Sequence, residues 1–378
     1  MQRTTSVYLD LLRFLAAAVV FAGHAYPQRL TGGLPALWRF GDLGNDAVMV
    51  FFVLSGFVIA YVADQKEHSL RSYSISRFAR LYSVVVPAIV LTVVVDTIGS
   101  RLAPGLYDAA WFAADNHLWR MAANLLFVNE LWWTSVRPFS NVPLWSLGYE
   151  FWYYSIFAAA FFLRSWHRFA ATALIILVAG PKILLLMPVW LLGVWAYHVT
   201  KTRPGSAKAG GALALGTVAC GLAFHLYDLP RLLDGAAAQW LGPAAIERLN
   251  FSKSFLSSYV IGILVALHLV GISAMSHRLG PYLPERPIRY LASFTFALYL
   301  FHYPLLFFFA AVAERTGMTA YRSLLVPVGT LLVVWAVGEV TERRKSTVKR
   351  WVSTCFDALA QSGRCCVAAV TSTRRLGP

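Results

Sequence analysis

The sequence predicts an all-α integral membrane protein, a bundle of about ten transmembrane helices. Hydrophobic residues make up 58% of the 378 positions, charged residues only 13%, and the mean hydropathy is +0.58. A soluble domain carries about twice that charged fraction, and no soluble core could bury so much apolar surface. The apolar residues also form long runs, most of which can cross the ~30 Å hydrocarbon layer as helices.

Ten apolar runs follow one another, separated by short polar loops. They lie at residues 7–27, 46–63, 81–99, 145–163, 169–181, 184–200, 210–227, 254–272, 290–312 and 323–341. The first run carries Asp10 and Arg13, which the apolar region of a cleavable signal peptide normally lacks, so we expect it to be retained as the first helix. Residues 1–341 are therefore predicted to form one transmembrane domain, followed by a basic cytoplasmic tail at residues 342–378.

The distribution of lysine and arginine predicts that both termini lie in the cytoplasm. With ten spans, about twice as many of these residues fall on the inside as on the outside. The apolar stretch 120–133 is ambiguous, and an eleventh crossing there would move the basic tail outside. It is only about 21 Å long as a helix and contains Asn124, Asn129 and Glu130. We expect a re-entrant or surface element on the outer side of a multi-pass inner (plasma) membrane protein.

The strong positive charge limits the classes of partner. The formal net charge is +15 and the isoelectric point about 9.9, and the basic residues gather mainly on the predicted cytoplasmic face. Membrane lipids with anionic headgroups and an anionic cytosolic substrate explain this charge, so we expect no nucleic acid partner. The sequence has no zinc-ligand cluster, no phosphate-binding glycine loop and no Gly-x-Ser-x-Gly elbow, and we expect no metal.

The first span contains two ionisable residues, Arg13 and His24. Eleven helical steps return both side chains to one face, about 16 Å apart along the axis. An ionisable residue inside a membrane is costly and indicates function. His24 has the chemistry of a general base, although a polar packing role explains it equally simply. Arg13 must pair or bind an anion, and Asp10 on the same helix offers one neutralising partner.

A second basic pair, Arg77 and Arg80, lies in "SISRFARLY" where the third span leaves the cytoplasm. Residues three apart share one side of a helix, and arginine forks bind phosphate through two parallel hydrogen bonds. Topological anchoring is the alternative, but it does not depend on this spacing. We interpret the pair as a phosphate site.

The segment "NVPLWSLGYEFWYY" opens the fourth span from the outside. It places Glu150 about one helical turn into that span, surrounded by aromatic residues. A carboxylate there could orient an imidazolium or bind a sugar hydroxyl, while an interfacial aromatic belt is the simpler alternative. We interpret His302 as a structural or supporting residue rather than a catalytic one. Asp46 is interpreted as a helix N-terminal cap, and Ser55, before a glycine within a span, as a site of close helix packing.

Five segments resemble, in order, the acyltransferase-3 family of bacterial membrane O-acyltransferases, which includes O-antigen and exopolysaccharide acetylases. The segments are "YLDLLRFLAAAVVFAGHAY", "VMVFFVLSGFVI", "SRFARLY", "PLWSLGYEFWYY" and "FTFALYLFHYPLL". The resemblance implies a ten-helix bundle that transfers an acyl group from acyl-CoA, most simply acetyl-CoA, to a hydroxyl of an extracytoplasmic or lipid-linked glycan, as in polysaccharide or lipopolysaccharide modification. It further implies that His24 is catalytic and that Arg13, Arg77 and Arg80 bind the donor, while Glu150 matches a characteristic acidic position.

Our hypothesis at this point is an O-acyltransferase in which Arg13, Arg77 and Arg80 hold the anionic end of acyl-CoA. His24 then takes the proton of the acceptor hydroxyl, with Glu150 supporting the acceptor or the imidazole. The sequence does not distinguish direct transfer from a ping-pong route. The alternatives are a transporter or flippase for an acyl or sugar compound, with His24 and Arg13 in a proton or substrate relay, and a membrane scaffold without activity.

Overall fold

A computed structural model describes residues 2–108, 115–203, 205–343, 349–354 and 357, and within these ranges the chain is helical, with no β-strand. The main helices are α1 (Arg3–Ala25), α2 (Gln28–Thr31), α3 (Trp38–Gln65), α4 (Leu70–Leu102), α5 (Pro104–Tyr107), α6 (His117–Leu125), α7 (Trp145–Phe162), α8 (Ser165–Ala179), α9 (Pro181–Thr202), α10 (Ala207–Leu226), α11 (Leu229–Leu241), α12 (Pro243–Arg248), α13 (Phe255–Leu279), α14 (Glu285–Ser293), α15 (Thr295–Arg315) and α16 (Arg322–Arg343). The predicted all-α class is confirmed. Most of the predicted tail, residues 342–378, falls outside the described residues.

Each of the ten predicted runs forms a helix. Eight helices of the described chain are long and apolar enough to cross a membrane, namely α1, α3, α4, α9, α10, α13, α15 and α16. The other two runs form α7, whose 18 residues include Glu150 and several polar aromatic side chains, and α8, which has only 15 residues. The chain is thus a multi-pass membrane protein, while ten crossings and two cytoplasmic termini stay predictions.

Helix α15 lies at the centre of the bundle. It packs against α1, α4 and α16, and α1 in turn packs against α3. Leu300, Phe301 and His302 in its middle are completely buried. Five helices surround a common interior, namely α1, α3, α4, α7 and α15. Polar side chains on their inward faces therefore lie close together.

The crossing of α3 and α9 depends on glycine. A Cβ atom at Gly56 would collide with the Trp190 carbonyl, and one at Gly193 with the Val53 carbonyl. Small residues allow membrane helices to approach this closely. Close helix packing is therefore confirmed at Gly56, next to Ser55, whereas the Ser55 hydroxyl is hydrogen-bonded to Glu150 of α7 and to the Trp190 indole of α9.

The ambiguous stretch 120–133 does not form one helix. Helix α6 ends at Leu125, and residues 126–144 then form a loop that enters the bundle. Inside the loop Ser140 donates to Asp96 of α4 from its backbone nitrogen (2.9 Å) and from its hydroxyl (2.8 Å). Both Ser140 and Asn141 are completely buried. Non-helical backbone is tolerated inside a membrane protein when protein groups satisfy it, as they do here.

Asn141 supplies a hydrogen bond that α15 lacks. Pro304 lies inside α15, and because proline has no N–H, the carbonyl four residues earlier, that of Leu300, loses its helical donor. The Asn141 side-chain amide donates to this oxygen at 2.9 Å and to the Thr92 hydroxyl at 2.9 Å. The loop is therefore part of the central helix packing.

A buried ion pair fixes the same loop to α9. The Lys182 ammonium lies 2.5 Å from the Glu130 carboxylate, and the two side chains are 0% and 1% exposed. Lys182 also donates to the Thr134 carbonyl, and the Ser135 hydroxyl donates to Glu130 at 2.7 Å. Both charges are thus enclosed by hydrogen-bonding partners, as a buried pair requires.

One helix begins earlier than the sequence suggested. Helix α3 starts at Trp38, so Asp46 lies eight residues inside it, and the interpretation of Asp46 as an N-terminal cap is wrong. The polar and glycine residues before Asp46 are typical of a turn, but in the structure they are part of helix α3. Asp46 pairs instead with His225 of α10 at 2.8 Å.

Replacing Gly193 with alanine is expected to lower the free energy of unfolding by about 1–3 kcal/mol, because the added methyl group overpacks the α3–α9 crossing. Gly216→Ala in α10 is the matched control, since a Cβ atom there meets nothing within 4 Å. SDS titration of the purified protein in mixed micelles measures both variants. Equal stability of the two would show that the crossing does not need glycine.

Lys182→Ala is expected to cost about 3–5 kcal/mol, because it leaves the Glu130 carboxylate buried without a counter-charge. The double variant Lys182→Met/Glu130→Leu should recover most of this loss. Arg231→Ala is the control, since that arginine is 87% exposed and lies 3.9 Å from Asp228. A double variant as unstable as the single one would contradict the assignment.

Candidate active site

A small cavity lies among five helices of the bundle, α1, α3, α4, α7 and α15. Its polar lining consists of Arg13, Ser55, Arg80, Ser146, Glu150, Thr295 and Tyr299. Val48, Phe51, Phe52, Leu147 and Phe296 complete the wall. A membrane-embedded cavity with two guanidinium groups and one carboxylate on its wall is suited to a polar, anionic ligand.

Arg13 stands at the end of a chain of alternating charges. Its guanidinium lies 3.3 Å from Asp10, which also pairs with Arg289 of α14 at 3.0 Å. Arg289 pairs with Glu285 at 2.8 Å, and Glu285 with Arg3 at 2.8 Å. Hydrogen bonds from Arg3 and then Arg289 hold the pKa of Glu285 below its usual range. The neutralising contact expected from Asp10 is present, but Asp10 divides its charge between two arginines.

Arg80 differs from Arg13 in having no carboxylate partner within the described chain. Its guanidinium lies over the Phe296 ring, 4.7 Å from the centroid, and its Nε atom is buried without a hydrogen bond. The hydroxyl of Thr295, also on the cavity wall, is buried and unpaired in the same way. Unsatisfied buried donors in a native structure call for an explanation, and these two lie on the wall of one cavity.

Arg77 does not share this cavity. It forms a 3.0 Å ion pair with Glu67, and both side chains are only 11% exposed. Its guanidinium also lies near the rings of Tyr73 and Tyr154, in a neighbouring groove. The structure therefore brings Arg80 together with Arg13 and directs Arg77 to a carboxylate, although Arg77 and Arg80 are three residues apart.

Glu150 is held by hydroxyl groups. The Ser55 hydroxyl donates to its Oε1 atom at 2.6 Å, and the Tyr154 hydroxyl donates to the same oxygen. The Trp190 indole N–H donates to Ser55 at 3.2 Å, which fixes that hydroxyl in turn. No hydrogen bond joins Glu150 to His24. Its carboxylate instead faces the cavity that Arg13 and Arg80 line.

His24 meets a second histidine at the other end of α1. Its Nδ1 atom lies 2.8 Å from Nε2 of His302, and the Nδ1 atom of His302 lies 2.7 Å from the Leu298 carbonyl oxygen. The Tyr303 ring covers His24, with the centroids 4.5 Å apart. His302 is fully buried, whereas His24 is partly exposed. The supporting position that the sequence suggested for His302 is thus a direct contact with His24.

The cavity and the histidine pair are adjacent along α15. Tyr299 lines the cavity and is hydrogen-bonded to Ser146 at 2.8 Å. His302 follows three residues later, on the same side of the helix one turn along. On α1, Arg13 opens onto the cavity and His24 onto the histidine pair. The two helices therefore connect a cavity wall that carries guanidinium groups with an imidazole.

Several residues of the site were not predicted as such. Ser55 and Tyr154 hold Glu150, and Thr295 and Tyr299 line the cavity. The motifs containing them are visible in the sequence, but their mutual contacts join distant helices. No group of three or more potential metal ligands occurs among the residues that the structure describes.

Comparisons with known proteins identify the family of the chain. The model of the family described as an acyltransferase domain, acyltransferase-3, matches residues 6–339. The chain is 24% identical over 363 residues to the peptidoglycan O-acetyltransferase OatA of Listeria monocytogenes, covering 86% of this chain and 53% of that protein. It is 33% identical over 154 residues to the acyltransferase MdmB of Streptomyces mycarofaciens, covering 39% of this chain and 36% of that protein.

The family model and the Listeria protein both match most of the chain, whereas the Streptomyces protein matches 39% of it. The chain spans about half the length of the first of these relatives and about a third of the second. No solved structure matches the chain. The family model, however, covers α1 through nearly all of α16, including every helix that lines the cavity. The chain belongs to the acyltransferase-3 family.

Proposed function

We propose that this protein is a membrane O-acyltransferase that moves an acyl group, most simply acetyl, from acyl-CoA to a hydroxyl of a glycan or similar acceptor. The observation that carries the proposal is the pairing of two sites on α1. Arg13 lines a buried cavity together with Arg80, and His24 presents an imidazole about 16 Å further along the same helix.

The donor would bind through its phosphate groups at Arg80 and Arg13. Arg80 has an unpaired buried Nε atom, so a phosphate oxygen there would satisfy a donor that the described protein leaves open. Charge-assisted bonds from arginine to phosphate are strong and directional. Arg77 is already paired with Glu67, and we assign it a smaller part in donor binding.

The flexible thiol arm of the donor suits the distance between the two sites. With the anionic end of acyl-CoA at Arg13 and Arg80, the thioester would lie beside His24. In direct transfer, the His24 imidazole takes the proton of the acceptor hydroxyl, and the oxygen attacks the thioester carbonyl. The C–S bond then breaks, and the thiolate recovers the proton from the imidazolium, giving an ester and free CoA. In a ping-pong route, His24 itself would carry the acyl group between the two steps.

Glu150 would act at the donor end of this path. Its carboxylate faces the two guanidinium groups across the cavity, held by Ser55 and Tyr154. The carboxylate would limit the net positive charge of the empty cavity. Because it repels a phosphate group, it would also direct bound phosphate toward the two arginines. We assign this role to Glu150 in place of the one that the sequence suggested, which was to support the acceptor or the imidazole of His24.

The acceptor follows from the chemistry and from the relatives. The Listeria protein is named a peptidoglycan O-acetyltransferase, and a sugar hydroxyl of an envelope glycan fits the general-base chemistry of His24. A transporter or flippase would use the same buried charges, but the family match favours acyl transfer over transport. The inner (plasma) membrane is the location that this reaction requires.

His24→Ala is expected to reduce acetyl transfer by about 10²–10⁴-fold, the usual effect of removing a positioned base. The measurement is the O-acetyl content of envelope glycans, by mass spectrometry, in cells that carry the wild-type or the variant gene. His268→Gln is the matched control, because His268 is also a partly buried histidine with hydrogen bonds, 2.7 Å from Tyr8. More than half of the wild-type acetylation in a well-inserted His24→Ala protein would refute the proposal.

Arg80→Ala is expected to weaken binding of acetyl-CoA by about 10–100-fold, the effect of losing a charge-assisted hydrogen bond or two. Arg80→Lys should restore part of the affinity, since it supplies the charge without the fork. Arg77→Ala should have a smaller effect, and Arg231→Ala none. Titration calorimetry with the purified protein tests all four. Equal affinities for Arg80→Ala and Arg231→Ala would exclude a donor site at Arg80.

A further inference from the structure

We propose that His302 is a positioning residue that fixes the tautomer and orientation of His24, so that the Nε2 lone pair of His24 is the one free to accept a proton. This inference rests on the proposed function and names the part of the site that makes His24 reactive. It rests on the positions of five atoms: the Leu298 carbonyl oxygen and the two ring nitrogens of His302 on α15, and the two ring nitrogens of His24 on α1.

The hydrogen on His302 is placed by the backbone. Its Nδ1 atom lies 2.7 Å from the Leu298 carbonyl oxygen, and a carbonyl oxygen can only accept. Nδ1 must therefore carry a hydrogen, because a lone pair there would face the oxygen lone pairs at contact distance. In the neutral ring, the other nitrogen, Nε2, is then an acceptor.

The hydrogen on His24 follows from that of His302. The His24 Nδ1 atom is 2.8 Å from the accepting Nε2 atom, so it must donate. The two ring planes are 15° apart and the centroids 5.1 Å apart, which means that the rings lie edge to edge with the hydrogen near both planes. Which nitrogen of a histidine is protonated is set by the hydrogen bond that the other one makes. His24 is left with its lone pair on Nε2.

The rest of the bundle holds this arrangement in place. His302 is 0% exposed, and the Phe21 ring meets it edge to face at a centroid distance of 6.0 Å. Asn141 binds the carbonyl of Leu300, two residues before His302, so the backbone of α15 is fixed at that point. Tyr303 restricts rotation of the His24 ring from the other side.

His302 itself is not available to a substrate. Both of its nitrogen atoms are already bonded within the protein, and its side chain has no exposed surface. The Nε2 atom of His24, in contrast, has no hydrogen-bond partner in the described part of the chain. Once His24 has taken the acceptor proton, its Nδ1–H still donates to His302, and this contact stabilises the imidazolium.

The first test is kinetic. His302→Ala is expected to lower kcat for transfer from acetyl-CoA to O-deacetylated envelope glycan on the order of 10²-fold, with little change in KM for acetyl-CoA. His302→Gln should recover at least a tenth of the wild-type kcat, because its side-chain oxygen can accept the His24 hydrogen. His268→Gln controls for the loss of a hydrogen-bonded histidine elsewhere in the bundle.

The second test reads the tautomer directly and does not depend on activity. Solid-state NMR of ¹⁵N-histidine-labelled protein in lipid bilayers, with His24 assigned by difference from His24→Gln, should show a protonated Nδ1 and an unprotonated Nε2 in the wild type. In His302→Ala, the His24 signal should shift toward the Nε2-protonated form. In His302→Gln, it should remain as in the wild type.

The outcomes separate this inference from the proposed function. If His24→Ala retains transfer, the proposed function fails. If His24→Ala is inactive while His302→Ala keeps the wild-type kcat, only the role of His302 fails. A wild-type His24 protonated on Nε2 would also overturn it, whether or not any His302 variant folds.

Discussion

The structure is organised by the need to satisfy polar groups inside an apolar environment. In hydrocarbon, each buried N–H, carbonyl and charge must find its partner within the protein, and the bundle meets this demand over long sequence distances. Ser140 satisfies Asp96, Asn141 satisfies Leu300, and Lys182 satisfies Glu130. Some buried polar atoms stay unpaired in the described chain, and two of them, the Nε atom of Arg80 and the hydroxyl of Thr295, lie on the wall of the same cavity. Their shared position supports the proposal of a ligand site there.

Electrostatics then gives the site a direction. The alternating charges of Arg3, Glu285, Arg289 and Asp10 lead from the exposed start of α1 to Arg13 at the cavity. Within this chain Glu285, Arg289 and Asp10 each lie between two groups of opposite charge, and Arg13 forms the end at the cavity. The imidazole pair lies further along α1, where proton transfer is proposed.

Sequence patterns predicted the helices well because lipid imposes a simple requirement of length and hydrophobicity. All ten predicted runs form helices, and the motif at residues 120–133 was recognised as too short and polar to span. The start of α3 was predicted too late, since Asp46 follows residues that favour a turn in isolation. Local preference yielded there to packing and to the ion pair with His225.

The site was only partly predictable. Spacing along one helix correctly suggested that Arg13 and His24 face the interior, because helical geometry is local. Spacing also suggested that Arg77 and Arg80 act as one fork, yet their side chains take different partners, since Glu67 comes from outside the motif. The contact of His24 with His302 joins the first and the fifteenth helix. No local pattern contains that information.

The proline of α15 has an effect on residues far from it. Pro304 leaves one carbonyl oxygen without a helical donor, and Asn141 supplies the replacement across 163 positions of sequence. Pro304 and Asn141 both affect the hydrogen bonding of the Leu300 carbonyl oxygen, so their contributions to stability are not additive. Without proline at position 304, a backbone N–H there could donate to the Leu300 carbonyl, and Asn141 would be needed for its bond to the Thr92 hydroxyl alone. Substitutions at the two sites therefore form a thermodynamic unit, and the tolerance of either position depends on the residue at the other.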